Sequence, residues 1–167
     1  MTSPFVAILM GSDSDLPVMH ATITILKQFD INHEVRVRSA HRTPEAAKAY
    51  VKDAEERGCK VFICAAGLAA HLAGAVAGMT TRPVIGVPVD NGPLQGHDAL
   101  LSTVMMPGGI PVATVAIGKA GAKNAGYLAA QILGVADQSI ADKVQAERIA
   151  NAKALLAKDE AMQAKLV

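Results

Sequence analysis

Short apolar runs alternate with helix-like segments along most of the chain, and no other feature of the sequence restricts the fold as much. The apolar runs are predicted to be five β-strands, at residues 5–10, 34–38, 61–66, 84–89 and 112–117. Strands that alternate with helices favour a parallel sheet with helices on both of its faces. We therefore predict an α/β fold, a flavodoxin-like three-layer α/β/α sandwich around a five-stranded parallel sheet.

Residues that start and stop helices support this alternation. Asp15 is predicted to cap the first helix, with Pro17 in its first turn. Thr43 and Pro44 begin the second helix, and Gly58 is expected to end it in a left-handed conformation. Further helices are expected at residues 68–79, 98–105 and 120–133.

The C-terminal segment differs in composition from the rest of the chain. We predict a catalytic domain at residues 1–136 and a helical arm at residues 137–167, which is polar but carries apolar residues at Ile140, Val144, Ile149, Leu155 and Leu156. The arm either packs on its own domain or docks on a neighbouring subunit. The second alternative is favoured, because a long terminal amphipathic helix needs a surface that covers its apolar stripe.

Composition argues against several classes of function. The 16 basic and 15 acidic side chains leave a formal charge of +1, so no surplus charge attracts nucleic acid or an anionic membrane. No run of about 18 apolar residues is present, so no membrane span is predicted. Cys59 and Cys64 match neither a zinc pattern nor a disulfide framework, and Met1–Pro4 lacks the features of a signal peptide. A reduced, cytoplasmic protein is expected.

The candidate site lies where the strands end. In a parallel sheet the carboxyl ends of all strands meet at one edge, and ligands bind there. The loops at that edge are expected at residues 11–15, 39–42, 67–71, 90–96 and 118–121.

The first of these loops combines glycine, serine and aspartate. The Ser12 hydroxyl and the helix amides are suited to cradling a phosphate. Carboxylates repel phosphate, however, so Asp15 is expected either to cap the helix or to accept hydrogen bonds from sugar hydroxyls. A simple capped turn without a ligand is the alternative.

Two histidines occupy the next two loops. His41 can exchange a proton near neutral pH, and the neighbouring Arg42 can grip a phosphate or a carboxylate through two hydrogen bonds. His71 lies among small residues, either as a core histidine bonded to backbone or beside a flat ligand. Lys119 opens the last helix of the domain. Its role is left open, and contact with a ligand and contact with another chain are the two alternatives. The other histidines lack the spacing of metal ligands, and no metal site is predicted; these are His20, His33 and His97.

Six motifs in order resemble one family of enzymes. They are Val6–Asp15, Ser39–Pro44, Ala69–Leu72, Gly86–Val89, Met106–Val112 and Ala116–Ala125. Together they resemble the 5-(carboxyamino)imidazole ribonucleotide mutase family from about Val6 to Leu133. One branch of this family moves a carboxylate from the exocyclic nitrogen of its substrate to ring carbon 4. The other branch carboxylates aminoimidazole ribonucleotide directly with carbon dioxide.

The resemblance implies a function and a set of site residues. Arg42 and Pro44 match the mutase branch, which makes 5-amino-4-imidazolecarboxylate ribonucleotide in purine biosynthesis. The family implies that His41 is the general acid and base, that carbon dioxide is an intermediate, and that the protein is a homo-octamer. No metal or other cofactor is expected, because this reaction requires none and the sequence offers no acidic cluster and no Cys-His ligand set. The residues expected to bind the small-molecule ribonucleotide are Ser12, Asp15, Ser39, Arg42 and His71. Direct carboxylation and a flavodoxin-like binding module without enzymatic activity are the alternatives.

The chain departs from the family pattern in two loops. Leu68 and Ala73 stand where the family often has glycine and proline, and the segment at residues 90–96 also differs. These changes are expected to affect loop details rather than the type of reaction.

Overall fold

The computed structural model describes residues 4–166, so the expectation drawn from the first residues of the chain lies mostly outside it. The strands are β1 Phe5–Met10, β2 His33–Val37, β3 Cys59–Ala66, β4 Val84–Pro88 and β5 Ala113–Thr114. The helices are α1 Leu16–Gln28, α2 Pro44–Glu56, α3 Leu72–Ala77, α4 His97–Val104, α5 Gly118–Gly134 and α6 Gln138–Leu166.

The five strands form one parallel sheet in the order β2-β1-β3-β4-β5, which confirms the predicted fold. Successive side chains of a strand point to opposite faces, so the sheet has two separate cores. On one face Ile8 and Ile63 pack with residues of α1 and α5. On the other face Leu9 and Phe62 pack with residues of α2 and α3.

Small residues let α5 approach α1 and the sheet closely. Four alanines of α5 are completely buried within the subunit: Ala122, Ala125, Ala129 and Ala130. The Thr22 hydroxyl in α1 donates a hydrogen bond of 2.6 Å to the Ala122 carbonyl. A Cβ at Gly126 would lie only 2.8 Å from Cβ of Ile25. The alanine-rich face of α5 is therefore filled by its own chain.

Two elements, β5 and α3, are much shorter than predicted. β5 spans Ala113–Thr114 instead of 112–117, because this edge strand follows Pro111 and pairs with only two residues of β4. α3 begins at Leu72 rather than at residue 68, because Leu68 has a left-handed φ of 56° that interrupts a helix.

The last helix leaves the body of the protein. Asp137 caps α6 by accepting hydrogen bonds from the backbone amides of Ser139 and Ile140. The first turns of α6 pack on the domain, where Val144 is buried in the core under α1 and α5. From Arg148 to Leu166 every residue is exposed. Within residues 4–166, no helix is long and apolar enough to span a membrane.

The two cysteines are free thiols buried in β3. Burial raises the pKa of Cys59 to about 11, because an apolar environment disfavours the charged thiolate. Burial raises the pKa of Cys64 further still. Both side chains therefore act as small apolar groups of the core.

A close approach between α5 and the segment after β5 gives a stability prediction. A Cβ at Gly121 would lie 1.5 Å from the carbonyl oxygen of Ala116. We expect Gly121→Ala to destabilise the protein by about 3 kcal/mol, because backbone must move to make room. Gly108→Ala is the matched control, since a Cβ there meets nothing within 4 Å. Urea unfolding measures both variants, and equal midpoints would contradict the close approach.

Candidate functional site

The loops of the site leave the sheet at the same height, because backbone hydrogen bonds of the sheet continue past the ends of the strands. These bonds run from the amide of Gly11 to the carbonyl of Ala65 (2.9 Å), from Arg38 to Met10 (2.8 Å) and from Val89 to Ala66 (2.9 Å). The loops that follow β1, β2, β3 and β4 are thereby gathered around one depression.

That depression is a pocket of about 600 Å³. Six of its lining residues are the predicted site residues Ser12, Asp15, Ser39, His41, Arg42 and His71. Lys119, exposed at the start of α5, is not among the lining residues, and neither are His20, His33 and His97. A larger cavity of about 800 Å³ lies at the other end of β4, beside Arg82 and Pro83, and holds none of the predicted residues.

The loop after β1 contains two caps in succession. Asp15 occupies the predicted N-cap position of α1 but makes no side-chain capping hydrogen bond there, and Ser12 caps a short 3-10 helix at Asp13–Asp15 that leads into α1. The Ser12 hydroxyl accepts a hydrogen bond from the Ser14 amide, and Oδ2 of Asp15 accepts one from the Ser12 amide at 3.0 Å. This reciprocal pattern is a capping box, which Ser12 and Asp15 form because they are three residues apart.

The Asp15 carboxylate is only 2 % exposed at the base of the pocket. Burial raises its pKa, while hydrogen bonds from the Ser12 amide and the Asn91 side chain act in the opposite direction. The carboxylate has more acceptor positions than these donors occupy, so it can still accept hydrogen bonds from a ligand.

The loop after β2 is a tight turn that presents His41 and Arg42. The buried Ser39 hydroxyl accepts a hydrogen bond of 3.1 Å from the Arg42 amide, and the Thr43 hydroxyl donates to the Ser39 carbonyl. The Arg42 guanidinium reaches across to the loop after β1, where it donates to the Gly11 carbonyl at 2.8 Å. Ser39 therefore shapes the loop, while Arg42 brings a positive charge next to Ser12.

The two predicted histidines meet at the wall of the pocket. Nε2 of His41 and Nδ1 of His71 are 2.8 Å apart, and the rings meet edge to face with centroids 4.9 Å apart. At this distance one imidazole donates a hydrogen bond to the other, and the tautomers decide which ring is the donor. Both rings are exposed to solvent, so the alternative of a core histidine for His71 is wrong.

Sequence reasoning placed the segment after β4 at this edge but did not identify Asn91 as a residue of the site. Its side chain lines the pocket and donates a hydrogen bond of 3.1 Å to Oδ1 of Asp15. The available signal was its position, since it is the third residue after the end of β4. Nothing in the residue type alone distinguishes it from an asparagine in an ordinary turn.

The departure at Leu68 has a structural consequence. Leu68 is the residue with a φ of 56°, it is 53 % exposed, and it lines the pocket. Its side chain lies over Gly92, where an added Cβ would come within 2.5 Å of a Leu68 methyl carbon. The loops after β3 and β4 are thus packed together at the mouth of the pocket.

The donor groups of the pocket decide whether it could hold a metal ion. Within residues 4–166, no three His, Cys, Asp or Glu side chains are grouped so that they could hold a metal ion. The pocket instead offers a guanidinium, a carboxylate, hydroxyls and a pair of imidazoles.

The chain matches a family model and many curated proteins. Residues 5–154 match the family model of AIR carboxylase. A protein of Thermotoga maritima named N5-carboxyaminoimidazole ribonucleotide mutase is 58% identical over 85% of this chain and 82% of its own length. A protein of the same name from Vibrio parahaemolyticus is 53% identical over 91% of this chain and 94% of its own length. A similar solved structure is PurE of Treponema denticola, with a TM-score of 0.86 and 34% identity over 95% of this chain and 98% of that one.

The left-handed backbone at Leu68 predicts an unusual order of variant stabilities. We expect Leu68→Gly to be more stable than Leu68→Ala by about 1 kcal/mol, because alanine keeps the cost of a left-handed φ and glycine does not. Both variants lose the contact with Gly92, so their difference isolates the backbone effect. Thermal unfolding measures the difference. An alanine variant at least as stable as the glycine variant would contradict the conformation.

Proposed function

The chain belongs to the AIR carboxylase family, and from this premise we propose how the residues of its pocket carry out the reaction. It is a mutase of purine biosynthesis, which converts 5-(carboxyamino)imidazole ribonucleotide into 5-amino-4-imidazolecarboxylate ribonucleotide. The observation that supports a role for His41 is its hydrogen-bonded contact with His71 at the wall of the pocket.

In the proposed mechanism His41 is the catalytic residue for two proton transfers. It first donates a proton to the exocyclic nitrogen while the bond from that nitrogen to the carboxylate carbon breaks, which releases carbon dioxide. Ring carbon 4 then attacks the carbon dioxide, and His41 takes the proton that carbon 4 loses as the ring becomes aromatic again. The second transfer restores the protonation state of the first, so one imidazole serves both steps.

The other pocket residues are proposed to hold the substrate. Arg42 and Ser12 bind the phosphate at the end of β1, where the guanidinium already lies against the Gly11 carbonyl. Asp15 accepts hydrogen bonds from the ribose hydroxyls. His71 and the small residues beside it form the pocket that retains carbon dioxide, while Ser39 holds the loop that carries His41.

The scheme needs only positioning, exclusion of water and proton transfer from the protein. Ring carbon 4 is already nucleophilic because the amino group donates electron density to the ring. A pocket that keeps carbon dioxide near this carbon raises its effective concentration. We therefore propose a reaction without a metal or an organic cofactor. The buried free thiols are compatible with the cytoplasmic location that we also propose.

An ultraviolet assay with 5-(carboxyamino)imidazole ribonucleotide tests the proposal. We expect the ring-carboxylated isomer to form without ATP, metal or added bicarbonate. His41→Asn should lower kcat by a factor of about 10² to 10⁴, the usual contribution of a general acid or base. His20→Asn is the matched control, because His20 is exposed on α1 outside the pocket.

Each alternative has its own outcome in this assay. Product formed only from aminoimidazole ribonucleotide and bicarbonate would assign the chain to direct carboxylation. A His41→Asn variant with near-normal turnover would remove His41 from the mechanism, even if the mutase reaction itself were observed.

We also propose that the arm at residues 137–167 docks on a neighbouring subunit of a homo-octamer. The part of α6 from Arg148 onward is exposed in the single subunit and carries leucines at Leu155 and Leu156. A helix with exposed leucines gains free energy when another surface buries them. The site would then lie at subunit contacts, as the family resemblance implies.

Full-length variants test the docking of the arm. We expect the pair Leu155→Gln and Leu156→Gln to shift the sedimenting species to smaller assemblies, because the buried leucine surface is lost. The pair Lys153→Gln and Lys158→Gln, on the same part of α6, is the matched control. An unchanged assembly with an unchanged melting temperature in the leucine variant would contradict the proposal.

A further inference from the structure

The segment after β4 reaches back over the pocket and contacts its most deeply buried carboxylate. Nδ2 of Asn91 donates to Oδ1 of Asp15, although the two residues are 76 positions apart in the chain. We propose that Asn91 is a positioning residue that holds the Asp15 carboxylate in the orientation that binds the ribose. This inference rests on the proposed ribose role of Asp15.

The two oxygens of Asp15 are held from different directions. Oδ2 accepts the backbone amide of Ser12, which belongs to the same loop, and Oδ1 accepts the amide group of Asn91, which belongs to the loop after β4. Two donors on separate elements fix the rotation of the carboxylate plane. Without Asn91, the Oδ1 atom of this buried group would lose a hydrogen bond that offsets its desolvation.

Asn91 is itself held in place by the loop after β3. A Cβ at Gly67 would lie 3.0 Å from Cβ of Asn91 and 3.3 Å from its Nδ2, so the asparagine side chain packs flat against the glycine backbone. The residues that follow these two are also in contact, because the Leu68 side chain covers Gly92. Contacts within the protein therefore hold this segment in place, and they also hold the side-chain amide of Asn91 that donates to Asp15.

Asp90, the residue before Asn91, fixes the segment on its other side. A Cβ at Gly118 would lie 3.3 Å from Oδ1 of Asp90, which places this carboxylate at the N-terminus of α5. A negative charge at the positive end of a helix dipole is favourable. Asp90 and Asn91 thus connect the starts of α5 and α1 through one short segment.

A double-mutant cycle on KM and kcat tests the inference. We expect Asn91→Ala to raise KM about tenfold with little change in kcat, because ribose binding is lost equally from ground state and transition state. Asp15→Asn should raise KM at least as much. The double variant should have the KM of Asp15→Asn alone, because Asn91 acts through Asp15. Leu94→Ala, exposed on the same segment, is the matched control.

A second variant distinguishes positioning from packing. Asn91→Asp keeps the size of the side chain but places a carboxylate where the Asp15 carboxylate receives its hydrogen bond. We expect its KM to exceed that of Asn91→Ala, because like charges repel and the donor is lost. A residue that only fills space would give the reverse order. This variant also keeps the test available if Asn91→Ala melts at a lower temperature.

The outcomes separate this inference from the function on which it rests. Additive effects of Asn91→Ala and Asp15→Asn on KM would overturn the inference and leave the ribose role of Asp15 intact. A wild-type KM for Asp15→Asn would overturn both that role and the inference. Neither result would alter the assignment of His41, which depends on kcat.

Discussion

Three backbone hydrogen bonds beyond the strand ends determine where everything else in the site can lie. They join the residues that follow β1, β2 and β4 to the neighbouring strands of the parallel sheet. Because these bonds continue the register of the sheet, four loops leave it at the same height and converge over β1 and β3. His41, His71, Asp15 and Asn91 meet for this reason, although they are widely separated in the sequence.

Much of this arrangement could be predicted from the sequence because it depends on periodicity and on chain order. Buried apolar strands such as β1 and β3 leave a strong pattern, and the rule that ligands bind at the carboxyl edge then selects the loops. This reasoning placed His41 and Arg42 at the pocket without any knowledge of their partners. Five residues singled out in this way, together with Ser39, which the family resemblance added, line one depression.

The remainder depends on contacts that periodicity does not encode. The shortening of α3 depends on the left-handed φ of Leu68, a conformation that leucine rarely adopts and that its side-chain type therefore does not predict. The capping hydrogen bond that Ser12 accepts, and that Asp15 does not at its own cap position, is a choice between two residues that both suit a cap. The bond from Asn91 to Asp15 spans 76 positions and depends on how two loops fold over each other.

The thiols of β3 are internal reporters of the core between the sheet and the helices α2 and α3. Cys64 lies in the strand next to both β1 and β4, and burial raises its pKa, so it presents little reactive thiolate while the sheet is closed. Its side chain lies in the core beneath α2 and α3, so a reagent that alkylates thiolates can reach it only when these helices move away from the sheet. The alkylation rate of the native protein therefore measures how often the core on this face of the sheet opens.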